Sequence, residues 1–165
     1  RRVFESMSTH HPSPTTESLT PDVRIAVVAA RFNEHIVGEL LRACVARLLE
    51  LGVDESRIAT HRVPGAFELP VACKLLAETR RFDAVIALGC VIRGETAHFE
   101  YVAGEAARGI MAVAIQTGVP VIFGVLTTNT EDQARDRIGG KHGHAGTNAA
   151  NAAADMIVLK HAIKH

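Results

Sequence analysis

The sequence predicts an α/β domain: a three-layer α/β/α sandwich around a four-stranded parallel, doubly wound sheet. Three observations predict it. Apolar, often β-branched runs recur at 23–30, 57–63, 83–92 and 119–126. Helical periodicity fills the stretches between them. The runs VRIAVVAA and DAVIALGCVI are apolar at successive rather than alternate positions, as strands covered on both faces are. Strands alternating with helices in this way imply right-handed crossovers and helices on both sides of the sheet.

Each element can be justified in order. Residues 1–22 are rich in Ser, Thr, Pro and His; they cannot bury enough apolar surface to offset ordering and are expected to form a disordered tail. The domain is expected to occupy 23–165. After the first strand, Asn33 is a suitable N-cap. Ile36/Val37, Leu40/Leu41, Cys44/Val45 and Leu48/Leu49 then recur at helical spacing, and Gly52 ends the helix. The run RIATHRV forms a weaker second strand, and a helix follows over about 68–79. A third strand over 83–92 leads into a long helix over about 97–117. Its Ala103, Gly104, Ala106, Ala107 and Gly109 suit close helix contact. The stretch GIMAVAIQTGVPVIFGVL is uncharged and as long as a membrane span. Gly118 and Pro120 break it, so a helix end, a turn and the fourth strand are expected. Two helices, about 130–138 and 147–163, close the chain around the glycine-rich GGKHGHAG.

Composition narrows the function. With 165 residues, 47% hydrophobic and 22% charged, the chain can bury the core of one soluble domain. Eighteen basic residues balance eighteen acidic ones, which gives no electrostatic footprint for nucleic acid or an anionic membrane. The N-terminal stretch lacks the continuous apolar block of a secretory signal. Cys44, Cys73 and Cys90 are odd in number and contain no CxxC pattern, which points to a reducing, cytoplasmic setting.

In doubly wound folds ligands bind beyond the carboxyl ends of the strands. Those ends are Ala30–Asn33, Pro64–Glu68, Cys90–His98 and Thr127–Asn129. The amides that open the long helix, around Glu95 to His98, form a candidate anion site. The dipole term is worth about 0.3–1 kcal/mol, so a phosphate also needs a cation. Arg93, Arg137 and Lys141 are the candidates. His98 is the candidate proton-transfer group, because an imidazole titrates near working pH. The alternative is that Thr96 merely caps a helix and His98 is solvated. Phe32 is either a stacking plate for a planar heterocycle or a core residue, and Phe67 and Phe123 share that ambiguity. Glu68 either accepts hydrogen bonds from hydroxyls or is a solvated first-turn acid. His142 and His144 form an HxH pair with no further ligand at metal spacing. No GxGxxG, P-loop, GxSxG or flavodoxin phosphate loop is present.

Five segments, ARFNEHI, VPGAFELP, ALGCVIRGETAHFEYVA, GVPVIFGVLTT and AGTNAANAAADMI, together resemble the lumazine synthase family in order, over about Val23 to Lys164. The resemblance implies a flavodoxin-like topology and a transferase of riboflavin biosynthesis. Its reaction condenses 5-amino-6-(D-ribitylamino)uracil with 3,4-dihydroxy-2-butanone 4-phosphate to 6,7-dimethyl-8-ribityllumazine, releasing phosphate and water without cofactor or metal. It implies that Phe32 stacks on the pyrimidine, that Ala66, Phe67 and Glu68 hold the uracil and its ribityl chain, and that Cys90, Val91 and Ile92 line the same pocket. Glu95 and Thr96 would contact the phosphate through their backbone, Arg137 would supply the charge, and His98 would be the proton donor. Phe123 and Arg137 would reach the site from a neighbouring subunit of a pentamer or of a 60-subunit icosahedral shell. Riboflavin synthase is the implied partner. Where the family often carries a second lysine in the glycine loop, this chain has His144-Ala145-Gly146, with Lys141 at the earlier basic position.

Overall fold

The computed structural model describes Ser13 and residues 18–165. A four-stranded parallel sheet runs in the order β2-β1-β3-β4, with β1 at Ile25–Ala30, β2 at Ile58–Val63, β3 at Ala84–Ile92 and β4 at Val121–Thr128. Helices α1 (Glu34–Glu50) and α5 (Ala145–Lys164) cover one face, and α2 (Leu69–Glu78) and α3 (His98–Thr117) cover the other. The three expected layers are present.

The continuous apolar strands divide their side chains by parity. Ile25, Val27 and Ala29 of β1 join Ala84, Ile86, Leu88 and Cys90 of β3 against Leu40, Cys44 and Leu48 of α1 and Ala150, Ala153 and Ile157 of α5. The intervening Ala26, Val28, Val85 and Ala87 pack on Leu69, Cys73, Ala106 and Ile110 of α2 and α3. Alternating side chains therefore feed two separate cores. The edge strand β2 is mostly exposed or half-buried.

The structure corrects the sequence reading at several boundaries. Leu19 is 6% exposed and packs in the α1/α5 core, and its N–H donates to the Leu51 carbonyl at 2.8 Å. The chain therefore docks on the domain from Leu19, ahead of the expected start at Val23. The remainder of the expected tail, 1–12 and 14–17, lies outside the described residues. Among the described residues no helix is long and apolar enough to cross a membrane. The uncharged stretch instead breaks at Gly118, whose φ of 67° ends α3. The expected 130–138 helix shrinks to α4 (Glu131–Arg135), which Thr130 caps by accepting from the Gln133 N–H. An antiparallel hairpin, β5 (Ile138–Gly140) and β6 (Gly143–His144), replaces the simple glycine joint. Gly139 and Gly143 take φ of 100° and 74° there, which suits glycine and disfavours other residues. Asn33 precedes α1 in the left-handed region, φ 57°, without a side-chain cap.

One glycine fixes the packing of α1 on α5. A Cβ on Gly146 would fall 2.3 Å from the Leu40 carbonyl oxygen, which is backbone and cannot swing aside. Gly146→Ala is expected to cost about 2–3 kcal/mol through overpacking. Thermal unfolding should show this as a midpoint lowered by about 4–12 °C.

Candidate active site

Three strand ends build one pocket. Past β1 and β2 the parallel ladder continues for two more bonds, from Arg31 N–H to the Val63 carbonyl at 2.8 Å and from Phe32 N–H to the Pro64 carbonyl at 3.0 Å. Asn33 then turns the chain and donates its Nδ2–H to the Cys90 carbonyl at 2.9 Å. The Asn33 amide therefore staples the exit of β1 to the exit of β3 instead of capping α1. Held this way, Phe32 stands 71% exposed at the pocket. Such exposure excludes the core-residue alternative. Phe67 is likewise 58% exposed. Glu68 accepts from the Gly65 N–H through Oε2 at 2.9 Å, which closes the Gly65–Glu68 turn and leaves Oε1 without a protein partner among the described residues.

The cavity has a volume of about 520 Å³. Phe32, Asn33, the Gly65–Glu68 turn and Cys90–Ile92 line it on one side, and Gly94, Thr96, His98, Phe99, Tyr101 and Val102 line it on the other. Thus Phe32, Ala66, Phe67, Glu68, Cys90, Val91, Ile92, Thr96 and His98, all singled out by sequence, meet at one place. The signal for Tyr101, the chain's one tyrosine, was available: it lies three residues after His98 on the same helix face. Burial, and secondarily the charge of Glu131, pushes the Cys90 thiol up to about 11. Cys90 is therefore a small apolar wall and not a nucleophile.

The opening of α3 is poised for an anion. His98 is its first residue, exposed, with its N–H only 3.4 Å from Thr96 Oγ1. Among the described residues the Glu95, Thr96 and Ala97 amides donate to no protein acceptor. Glu95 borders the pocket in sequence and does not line it.

Among the described residues no lysine or arginine lines the cavity. Arg93, the nearest sequence candidate, is engaged: its Nε donates to Asn129 Oδ1 at 2.9 Å, it pairs with Glu100, and its guanidinium lies 4.4 Å over the Phe99 ring. The Arg93 hydrogen bond holds the exposed Glu100 carboxyl below its ordinary range. Arg93 therefore ties the start of α3 to the end of β4. Arg137, Lys141 and Phe123 do not reach the pocket within one chain. Arg137 donates to the Gln133 carbonyl at 2.7 Å, Lys141 is exposed on the hairpin, and Phe123 lines a separate cleft of about 320 Å³ between β4 and α5.

His144 takes a structural post. Its Nδ1 accepts from the Gly146 N–H at 3.2 Å, capping α5. That fixes the proton on Nε2, which is buried without a partner among the described residues. Burial, then the charge of Arg42, pushes the imidazole below its ordinary value, with Glu39 opposing.

These features define a class: a doubly wound domain whose strand-end pocket offers aromatic faces, an acid, an imidazole and open helix amides to a planar ligand and an anion. Comparison narrows it. The family described as 6,7-dimethyl-8-ribityllumazine synthase matches residues 22–161. A protein of that name from Thermus thermophilus is 49% identical over 141 residues, which span 86% of this chain and 90% of that one. Another, from Yersinia pestis, is 51% identical over 146 residues, spanning 88% and 94%. The chain belongs to the 6,7-dimethyl-8-ribityllumazine synthase family.

The His144 geometry gives a pH dependence of stability. Below about pH 6.5 the unfolded chain binds a proton there that the folded chain resists. Stability present above that value is therefore lost as pH falls. His144→Asn keeps an acceptor for the Gly146 N–H and removes the titrating group. Between about pH 7 and 5.5 the unfolding midpoint of the wild type should drop further than that of the variant; parallel slopes would dismiss the assignment.

Proposed function

We propose that the chain condenses 5-amino-6-(D-ribitylamino)uracil with 3,4-dihydroxy-2-butanone 4-phosphate to 6,7-dimethyl-8-ribityllumazine, releasing phosphate and water. The observation that carries this reading is the meeting of exposed Phe32, Glu68, His98 and Thr96, at the open amide end of α3, in one cavity. Family membership supplies the substrates. On this reading the Phe32 ring stacks on the pyrimidine, while the turn at Ala66, Phe67 and Glu68 holds the uracil and ribityl groups, with Oε1 of Glu68 as acceptor. Cys90, Val91 and Ile92 form the apolar wall. The amides of Glu95 and Thr96 hold the phosphate. The amine of the uracil attacks the ketone, and water leaves as the imine forms. Phosphate elimination, and ring closure with loss of a second water, then each require a proton moved, the task of His98.

A helix terminus contributes about 0.3–1 kcal/mol toward an anion, up to about 2 when partly buried. A charge-assisted hydrogen bond contributes about 1.5–3 kcal/mol. The pocket offers the first within one chain and lacks the second. We therefore assign the missing cation to Arg137 of an adjacent copy, with Lys141 beside it and Phe123 closing the pocket from the same copy. A pentamer is the proposed assembly, with the shell its higher form. Support comes from an apolar cleft of about 500 Å³ that includes Met111, Ile115, Ile122, Met156, Leu159 and Ile163. Ile115 and Ile163 are 77% and 76% exposed there, within a contiguous apolar patch of the kind that marks an interface. The three free, buried cysteines support a cytoplasmic setting.

Mixing the two substrates and following lumazine absorbance tests the activity; no product would end the reading. His98→Ala should slow turnover by about 10²-fold or more while leaving measurable activity. Arg137→Ala should raise KM for the phosphorylated substrate about 10–100-fold. Co-assembled from the two variants, mixed particles should exceed the average activity of the parents, because some sites then draw intact His98 and Arg137 from different chains. Activity at the parental average would place both groups in one protomer.

A further inference from the structure

At the opposite end of the sheet from the pocket, the carboxyl ends of α2, α3 and α5 meet around a further cleft of about 250 Å³. Among the described residues Arg80, Lys160, Lys164 and His161 line it, together with one acid, Asp83, and Lys160 and Lys164 also rim the apolar cleft assigned above to contact between copies. We propose that this cleft binds a small, doubly charged oxyanion of the phosphate class, at a site separate from the substrate pocket.

Four observations carry the assignment. First, positive charge is in excess. Among the described residues none of Arg80, Lys160 and Lys164 has a carboxylate within 4.0 Å. Asp83 is already occupied: its Oδ2 accepts from the Arg24 N–H at 2.8 Å, and its Oδ1 faces His161 at 3.9 Å. Second, Lys160 is half-buried, and its ammonium is held below the ordinary lysine value by burial and then by the charges of Lys164 and Arg80, with Asp83 opposing. A cation crowded by other cations gains most from an arriving anion. Third, Arg80 adopts a left-handed backbone, φ 57°. Glycine would take that conformation at a helix end without strain, yet the chain places a guanidinium there. Backbone strain of this kind is found chiefly where side-chain placement serves a site.

Fourth, the arrangement is built rather than loose. Arg80 Nη1 donates to the Thr117 carbonyl at 2.7 Å, which anchors the guanidinium at the cleft wall. Neutralising helix carbonyls explains that one bond. It does not explain Lys160 and Lys164, which donate to no protein acceptor among the described residues. The cleft is smaller than a drug-sized ligand requires, about 300–1,000 Å³, and suits a compact ion.

Calorimetric titration with inorganic phosphate at constant ionic strength, balanced with chloride, tests the proposal on the intact assembly. Four proteins are compared: wild type, Arg80→Gly, Lys160→Met/Lys164→Met and Arg137→Ala. Arg80→Gly removes the charge and relieves the backbone, so it folds and keeps lumazine-forming activity. Expected is a phosphate-binding event that survives Arg137→Ala and weakens about 10-fold or more in Arg80→Gly and in the double lysine variant. A phosphate monoester titrated in parallel separates the sources, since binding of phosphate alone marks the free ion and binding of both admits an ester. If Arg137→Ala abolishes all phosphate heat, or if the Arg80 and lysine variants bind as the wild type does, the cleft is no site. Failure of the lumazine assay would leave this outcome unaffected, so the two readings fall separately.

Discussion

Burial of β1 and β3 on both faces is the constraint on which the rest depends. From Ile25 to Ala29 and from Ala84 to Leu88 every side chain is 0% exposed. Both strands lie inside the sheet and hydrogen-bond on both edges. Nothing from Ile25 to Ala29 or from Ala84 to Leu88 can meet a ligand. Their exits are the first places where backbone groups are released from the ladder, and parallel crossovers bring the start of a helix to each exit. Chemistry is therefore confined to the turns after Ala30, Val63 and Ile92. The Asn33–Cys90 bond sets how those turns face one another.

The pocket so formed is well furnished in shape and poor in charge. Arg93 follows the pocket residue Ile92 directly, and the fold uses it to join Glu100, Asn129 and Phe99. A single exposed pair of that kind is worth about 0–1 kcal/mol. Three partners on one guanidinium fix its orientation instead, and with it the α3 opening. Rigid amides and a mobile arginine are alternatives at this position, and the structure has the rigid amides. The proposed cation from a second copy rests on that choice, and on that proposal an assembly is a condition of the chemistry.

Much of this was legible in the sequence because strand burial and helix periodicity are local patterns. The four strands, the break at Gly118 and the grouping of Phe32, Glu68 and His98 at strand ends all follow from residue type and order. What was not legible depended on contacts distant in sequence. Asn33 reads as a helix cap, since Asn before an apolar-periodic run usually is one; only the position of Cys90, 57 residues on, shows otherwise. Leu19 looks like tail because its partner, Leu51, lies across a turn and a helix. The engagement of Arg93 needed Asn129 to be brought beside it by β4. The hairpin at 138–144 escaped because two glycines with positive φ mark turns without saying which strands they join.

Helix direction links the two ends of the molecule. Every crossover helix runs antiparallel to the strands, so the amide ends of α1 and α3 gather beside the strand exits and the carbonyl ends of α2, α3 and α5 gather at the strand entrances. Partial positive charge thus accumulates at the pocket without any side chain, while partial negative charge at the other end attracts cations. At the entrances Arg80 satisfies a carbonyl of α3 directly, while Lys160 and Lys164 donate to no protein acceptor among the described residues and line the cleft. The same backbone order thereby makes both ends attractive to anions, by amides at one and by surplus ammonium groups at the other. Removing Arg80, Lys160 or Lys164 should disturb only the second, because the amides of Glu95 and Thr96 belong to the fold itself.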